Sequence, residues 1–247
     1  MISEKGTIIP VFMKEKISAI VLAAGQGKRM NSHVAKQFLI LRDKPVIYYS
    51  LKSFDESSVD EIVLVTGQDM VEYCQKEIVE RYLFKKVIKV ISGGKERYDS
   101  VYQGLLCIDP GYVLIHDGAR PFLSIEQIEK IIEQVKVHKA CLIGTPVKET
   151  IKIVDQDGYI VDTPDRNLVW AAQTPQAFEY SSIRNAYNTF YDAKKDNEFS
   201  ITDDAMVYET FIGQPVKMLE GSYHNIKLTT PEDLVLAEQL LMNLLCE

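Results

Sequence analysis

The residues best suited to chemistry begin directly after the first apolar run, in the segment AAGQGKRM at 23–30. Gly25 and Gly27 let the backbone approach a ligand closely, so that several amides can converge on phosphate oxygens. Arg29 and Lys36 add two cations nearby. The pattern is neither a Walker A motif nor a full dinucleotide fingerprint, and an ordinary tight turn would explain the glycines alone. The added cations favour a phosphate-binding loop.

A second segment, GGKERYDS at 93–100, leads from a predicted strand into a predicted helix. Free amide groups at a helix start suit an anion or a polar ligand edge. An N-capped helix without a ligand explains the same spacing, so both interpretations stay open at this point.

The third segment, HDGARP at 116–121, places Asp117 at the carboxyl end of a predicted strand. A carboxylate there can hold Mg²⁺ on a triphosphate, because this ion needs only one or two protein carboxylates. Arg120 can pair with the same loop. His116 fits packing or hydrogen bonding better than catalysis.

Three later segments contain polar residues whose role the sequence leaves open. Arg166 is either a surface charge or a residue that reaches a second subunit. Thr202 is predicted to cap a helix. Lys227 lies in an alternating stretch, predicted to be a strand, just before the helix start at Thr230–Pro231.

Five short apolar runs must position these segments, at 18–24, 61–67, 86–92, 112–118 and 140–147. Continuous apolar runs are typical of strands covered on both faces in a parallel sheet. Helical spacing lies between them, at 45–54, 70–82, 97–108 and 124–137. Pro45 is expected at the first helical position of the first helix, and Ser124 with Gln127 is typical of a capping box at the start of the fourth. Ligands of such sheets bind beyond the carboxyl ends of the strands. The functional loops are therefore expected after Ala24, Ser92, Ile115 and Thr145.

Alternating sequence on both sides of 155–158 predicts a β-hairpin within 150–163. An isolated hairpin is marginal in water. We therefore expect it to pack on something, and a second subunit is the natural candidate.

Composition excludes several classes of protein. The 247 residues carry a formal net charge of −7, which argues against nucleic-acid binding and against a basic membrane patch. No apolar run is long enough to span a bilayer. The four cysteines lack metal-ligand or redox-motif spacing, which suits a reducing cytoplasm.

Taken together, the segments resemble the IspD family, the 2-C-methyl-D-erythritol 4-phosphate cytidylyltransferases. Seven motifs occur in order over about 17–240: AAGQGKRM with KQF, GGKERYDSV, HDGARPF, VKETIK, DRN with QTPQAF, ITDDA and NIKLTTPEDL. The resemblance implies an α/β, Rossmann-like nucleotidyltransferase fold, with a mainly parallel sheet, helices on both faces and a protruding β-arm. It also implies transfer of a cytidylyl group from CTP to methylerythritol phosphate, with Mg²⁺, in isoprenoid precursor synthesis.

The resemblance further implies one nucleotidyltransferase domain over 16–242 after an extension at 1–15, with 148–170 as a β-arm that builds a homodimer. The implied catalytic residues are Arg29, Lys36, Arg166 and Lys227. The implied nucleotide-binding residues are Ala23, Ala24, Gly25, Gly27, Gly94, Lys95, Ser100, Asp117 and Gly118. The implied substrate-binding residues are Arg120, Thr150, Arg166, Thr174, Thr202 and Lys227. Asp117 is the implied metal ligand, and Arg166 is expected to come from the partner subunit.

Two positions depart from the family pattern. Lys95 stands where some relatives carry an acidic residue, which backbone contacts would tolerate. Gly118 replaces a commoner alanine, which we expect to matter little because both residues are small.

Three other functions are weighed against this one. Ribitol-5-phosphate cytidylyltransferase shares the fold, metal and reaction, but DGARPF and the DRN to QTPQ stretch look closer to the IspD family. A sugar-1-phosphate nucleotidyltransferase normally has Thr where Lys28 stands. A non-catalytic nucleotide-binding scaffold is expected to lose the cations of the site, and they are present.

Overall fold

Short aliphatic and β-branched runs form a central sheet in the computed structural model, which describes residues 15–25, 35–109 and 111–244. The strands are β1 (Lys16–Ala23), β2 (Ile40–Leu41), β3 (Lys44–Pro45), β4 (Glu61–Thr66), β5 (Val87–Ser92), β6 (Gly111–Asp117), β7 (Ala140–Pro146), β8 (Ile153–Val154), β9 (Ile160–Asp162), β10 (Trp170–Glu179) and β11 (Lys217–Glu220). All five strands predicted from the apolar runs are present.

Seven strands form the main sheet, in the order β11-β7-β10-β6-β1-β4-β5. All neighbours are parallel except β10, which runs antiparallel between β6 and β7. Because β1, β4, β5 and β6 run in the same direction, the loops that follow them meet at one edge of the sheet.

The α-helices are α1 (Val46–Glu56), α2 (Val71–Tyr73), α3 (Arg97–Leu105), α4 (Ile125–His138), α5 (Tyr180–Ala193), α6 (Asp204–Ile212) and α7 (Pro231–Leu244). A 3₁₀ turn precedes α2, and a π-helix, Cys74–Glu80, follows it. The Ser124 half of the predicted capping box of α4 is confirmed, since the Ser124 side chain accepts a hydrogen bond from the Gln127 amide. The other half is not formed, because Oε1 of Gln127 has no hydrogen-bond partner among the described residues. No helix in the described ranges is long and apolar enough to cross a membrane.

Helices cover both faces of the sheet, as predicted. Alternate side chains of β1 point to opposite sides: Val21 joins the core formed with α1 and α4, and Ile20 joins the core formed with α3, α5 and α6. Gly104 of α3 lies so close to β1 that an added Cβ would be 2.7 Å from the Cγ2 atom of Ile20. This close packing holds α3 directly against β1.

Four details differ from the sequence predictions. Pro45 lies at the N-cap of α1 and not at its first helical position. The cap of α6 is Asp203, which accepts a hydrogen bond from the Met206 amide, and not Thr202. Lys227 lies in an irregular segment and not in a strand. Strands β10 and β11 were not predicted, because polar residues interrupt the first and the second is short.

The predicted hairpin is confirmed as the pair β8 and β9, with Ile153 opposite Asp162 and Val154 opposite Ile160. Its apolar side chains are exposed, including 73% of Tyr159 and 61% of Ile160. The hairpin therefore presents an apolar surface that the described part of this chain does not cover.

Candidate active site

The loop after β1 is held by one buried side chain. Gln37, which is 2% exposed, donates hydrogen bonds from its Nε2 to the carbonyl of Ala23 and, at 2.9 Å, to that of Gly25. Lys36, beside it, begins a short 3₁₀ helix. Two predicted residues of the same loop, Gly27 and Arg29, lie outside the described residues.

A second loop joins β5 to α3 through two glycines. The Gly94 amide donates to the Ser100 hydroxyl at 3.2 Å, and an added Cβ at Gly94 would overlap the Asp99 side chain. Asp99 in turn accepts from the Glu96 amide at 2.9 Å, which caps the helix. The capped-helix interpretation is therefore confirmed, and only glycine fits this turn.

These loops enclose a first cavity of about 200 Å³ at the carboxyl edge of the sheet. Its lining includes most of the predicted nucleotide-binding residues, namely Ala24, Gly25, Gly94, Lys95, Ser100 and Asp117, together with Lys36, Arg97 and Lys227. A neighbouring recess, lined by Ala23 and the loop after β4, adjoins it on the other side. Three of the four expected functional loops thus meet here.

A second cavity of about 250 Å³ lies beside the first and shares Arg97, Asp117 and Lys227 with it. Its wall also includes three predicted substrate-binding residues, Arg120, Thr174 and Thr202, and the carboxylate of Asp203. The structure therefore places two adjacent cavities around one group of charged side chains.

Asp117 is the centre of this group. Its Oδ2 lies 2.8 Å from Lys227 Nζ and 3.7 Å from Arg120 Nε, and its Oδ1 lies 3.3 Å from Arg97 Nε. Burial alone would raise the pKa of the Asp117 carboxyl, but the charges of Arg97, Lys227 and Arg120 outweigh burial and hold this pKa well below its ordinary value. The carboxylate is therefore ionised at neutral pH.

A chain of hydrogen bonds joins the Asp117 loop to Thr174 of β10. The Asp117 amide donates to the Thr174 hydroxyl at 3.0 Å, and that oxygen lies 3.1 Å from Nδ1 of His116. Nε2 of His116 lies 3.3 Å from the Arg120 carbonyl, which can only accept, so the proton is assigned to Nε2. Burial lowers the pKa of His116 to about 4, so the ring is neutral. His116 therefore serves structure, as the sequence predicted.

Gly118 lies in a tightly packed part of the loop after β6. An added Cβ would overlap Cδ1 of the buried Ile47 and lie 3.0 Å from the Leu22 carbonyl. Alanine would therefore require the end of the Ile47 side chain to move, and the expectation that the exchange matters little stays a prediction. Gly118 contributes a 2.9 Å amide hydrogen bond to Leu22 and lines neither cavity.

Two predicted substrate residues do not reach the cavities within one chain. Thr150 is exposed, and Arg166 donates from Nη1 to the Lys148 carbonyl at 3.3 Å within the arm. Neither lines the two cavities described above. The loop after Thr145, the fourth expected functional loop, leads into this same arm.

The sequence reasoning assigned no role to Arg97 or Asp204. Arg97 Nη2 donates to Oδ2 of the fully buried Asp204 at 2.8 Å, in addition to its contact with Asp117. Both residues lie inside segments that were singled out, and a cation at a helix start is an unusual placement. That unusual placement is the sequence feature that could have identified Arg97 as a site residue.

Removing the Thr174 hydroxyl tests the support of the Asp117 loop. In Thr174→Val, the buried Asp117 amide loses its acceptor, which should lower the free energy of unfolding by about 1–3 kcal/mol. Thr174→Ser keeps the hydroxyl and is expected to retain most of the stability. Urea denaturation measures both, and a Val variant as stable as the Ser variant would show that this hydrogen bond contributes nothing.

Comparison with known proteins agrees with this geometry. The model of the IspD family, 2-C-methyl-D-erythritol 4-phosphate cytidylyltransferase, matches residues 17–243. The enzyme of that name from Lachnoclostridium phytofermentans is 51% identical over 92% of this chain and 97% of its own length. A Clostridium botulinum enzyme of the same name is 48% identical over 93% of this chain and 99% of its own length.

Solved structures agree with the fold. The crystal structure of 4-diphosphocytidyl-2C-methyl-D-erythritol synthase from Anaerococcus prevotii superimposes with a TM-score of 0.81 at 37% identity, over 92% of this chain and 96% of that one. The predicted Rossmann-like nucleotidyltransferase fold is therefore confirmed. On these matches, the chain belongs to the IspD family of cytidylyltransferases.

Proposed function

We propose that this enzyme transfers a cytidylyl group from CTP to 2-C-methyl-D-erythritol 4-phosphate and releases pyrophosphate, as the names of its relatives imply. The observation that carries the proposal is the group of cations around Asp117, at the junction of two adjacent cavities. Two cavities that share a charged wall suit two anionic reactants which must be brought together.

The first cavity is proposed to hold the nucleotide. The loop after β1 and the Gly94 turn offer backbone groups, and Lys36 and Lys95 offer positive charge. Gly94, Lys95 and Ser100 are proposed to neighbour the cytosine. Gly27 and Arg29 are proposed to complete the triphosphate site.

The second cavity is proposed to hold the polyol phosphate. Arg120 and Lys227 supply cations to this cavity, and Thr174 and Thr202 supply hydroxyl groups. The phosphate of this substrate is already ionised, so no protein base is needed to activate it.

The reaction follows from this arrangement. An oxygen of the polyol phosphate attacks the α-phosphorus of CTP, a new oxygen–phosphorus bond forms, and the bond from that phosphorus to the departing pyrophosphate breaks with its electron pair. The protein offsets the repulsion between the phosphates and holds them in line.

Asp117 is proposed to hold Mg²⁺. The described residues contain no group of three metal-ligating side chains. An ion bound mainly by phosphate oxygens and water needs only one or two protein carboxylates, and Asp117 is ionised and lines both cavities. When bound, the ion would neutralise charge on the triphosphate.

The arm at 148–170 is proposed to form a homodimer interface. Its exposed apolar residues include Val154, Tyr159, Ile160, Val161 and Leu168. A hairpin this small is marginal alone, so a second copy would both stabilise and cover it. Arg166 and Thr150 are proposed to act in the partner's site.

We also propose that residues 16–242 form a single domain after an extension at 1–15. The enzyme is proposed to act in the cytoplasm, because a reducing compartment suits the three free thiols in the described residues.

Pyrophosphate release tests the function. Purified enzyme with CTP and Mg²⁺ is expected to prefer 2-C-methyl-D-erythritol 4-phosphate over ribitol 5-phosphate. A preference for ribitol 5-phosphate would overturn the substrate assignment. Nucleotide binding without transfer to either compound would instead indicate a non-catalytic binding protein.

Mixed dimers test the position of Arg166. Arg166→Ala and Lys227→Ala are each expected to be inactive as homodimers. In a mixed dimer, one site recovers Lys227 from its own chain and Arg166 from the partner. After random exchange about half of the dimers are mixed, and one of the two sites in each mixed dimer is intact. About a quarter of wild-type activity should therefore be restored. No recovery after verified exchange would place Arg166 in the site of its own chain.

A further inference from the structure

Arg97 lies where the two cavities meet. It is the first residue of α3 and lines both cavities, in company with Asp117 and Lys227. Its side chain is 28% exposed, so it is neither a core residue nor a free surface charge. The proposed function counts Arg97 among the cations around Asp117, but it gives this guanidinium no contact with either reactant.

The contacts of Arg97 leave part of its guanidinium available. Nε lies 3.3 Å from Asp117 Oδ1, and Nη2 lies 2.8 Å from Asp204 Oδ2. No hydrogen bond joins Nη1 to any described residue. Since a guanidinium has five N–H donors in a planar fork, two carboxylates can fix its plane while Nη1 stays open to a ligand.

Asp204 holds the other side of the guanidinium. It is fully buried, and its Oδ1 accepts a 2.6 Å hydrogen bond from the Tyr187 hydroxyl. Burying a carboxylate is costly unless it is paired and hydrogen-bonded, and Arg97 and Tyr187 together meet that need. These contacts of Asp204 connect α3 to α5 and α6, whose buried residues belong to one hydrophobic core.

The helix dipole alone disfavours Arg97 at this position. A cation in the first turn of a helix faces the positive end of the helix dipole. Exceptions to such local rules are expected at functional sites. The two cavities are lined by five cations, Lys36, Lys95, Arg97, Arg120 and Lys227, and by three carboxylates, Glu96, Asp117 and Asp203. With the buried Asp204 the count is five to four, so the two cavities together carry surplus positive charge, which suits phosphate.

We propose that Arg97 is a further catalytic residue, whose guanidinium contacts phosphate oxygens of both reactants at the junction, and that Asp204 is the positioning residue that holds it there. The proposal rests on the proposed function. Arg97 moves no proton. It stabilises the negative charge that the α-phosphoryl group and the departing pyrophosphate carry while one oxygen–phosphorus bond forms and the other breaks.

Steady-state kinetics of Arg97→Met and Arg97→Lys test the catalytic role, with Arg81→Met and Arg81→Lys as controls. Arg81 pairs with Glu77 on the surface and lies outside both cavities. Arg97→Met should lower kcat about 100-fold and change KM for either substrate less than about threefold, because the contact strengthens in the transition state. The lysine variant should fall between it and the wild type.

Chemical rescue separates this role from a structural one. In Arg97→Ala, millimolar guanidinium is expected to restore part of kcat, and the same salt should not raise the kcat of Arg81→Ala. If the wild type is active, a kcat of Arg97→Met within threefold of the wild-type value would overturn the role of Arg97 and leave the proposed function standing. Failure of guanidinium to rescue Arg97→Ala would have the same meaning. A wild type that transfers nothing from CTP would overturn the proposed function as well.

A double-mutant cycle tests the positioning role. Asp204→Asn should lower kcat about tenfold, and the double variant with Arg97→Met should be no slower than Arg97→Met alone, because Asp204 acts through Arg97. Independent, additive losses would contradict this role. If Asp204→Asn does not fold, Tyr187→Phe takes the place of that variant in the cycle, because it removes only the hydroxyl that orients Asp204.

Discussion

The Asp117 carboxylate accepts contacts from cations that three separate parts of the chain supply. Arg97 comes from the start of α3, Arg120 from the turn after β6, and Lys227 from the segment before α7. Without the carboxylate, these cations would repel one another across a few ångströms of partly buried space. Without the cations, the buried carboxylate would be driven toward protonation. Each charge therefore depends on the others, and Arg97, Asp117 and Lys227 form the wall shared by both cavities, with Arg120 in the second cavity alone.

The sheet explains why these groups meet. Parallel strands bring the loops after β1, β5 and β6 to one edge, and the antiparallel strand β10 places Thr174 beneath Asp117. Two buried side chains then fix two of these segments: Gln37 binds the carbonyl groups after β1, and Asp204 binds Arg97 at the start of α3. Reorganisation during the reaction is costly, so a site held this firmly can offset repulsion between phosphates without first rearranging.

Much of this arrangement was predictable from the sequence, because local patterns report local structure. Continuous apolar runs predicted the five parallel strands, and the Ser124 cap predicted the start of α4. Strand β10 was missed since polar residues interrupt its apolar pattern, and its partners β6 and β7 are distant in the chain. The site role of Arg97 was missed for a similar reason. It depends on the contact with Asp204, which is distant in the chain and which only the fold brings near.

The most direct test of this account is a crystal structure with an unreactive α,β-methylene analogue of CTP, Mg²⁺ and 2-C-methyl-D-erythritol 4-phosphate. The account predicts that the nucleotide lies against Gly94 and Ser100, that the polyol phosphate lies against Arg120 and Thr174, and that the two phosphates meet at Asp117. A nucleotide bound elsewhere, or a polyol phosphate distant from this carboxylate and its cations, would contradict it.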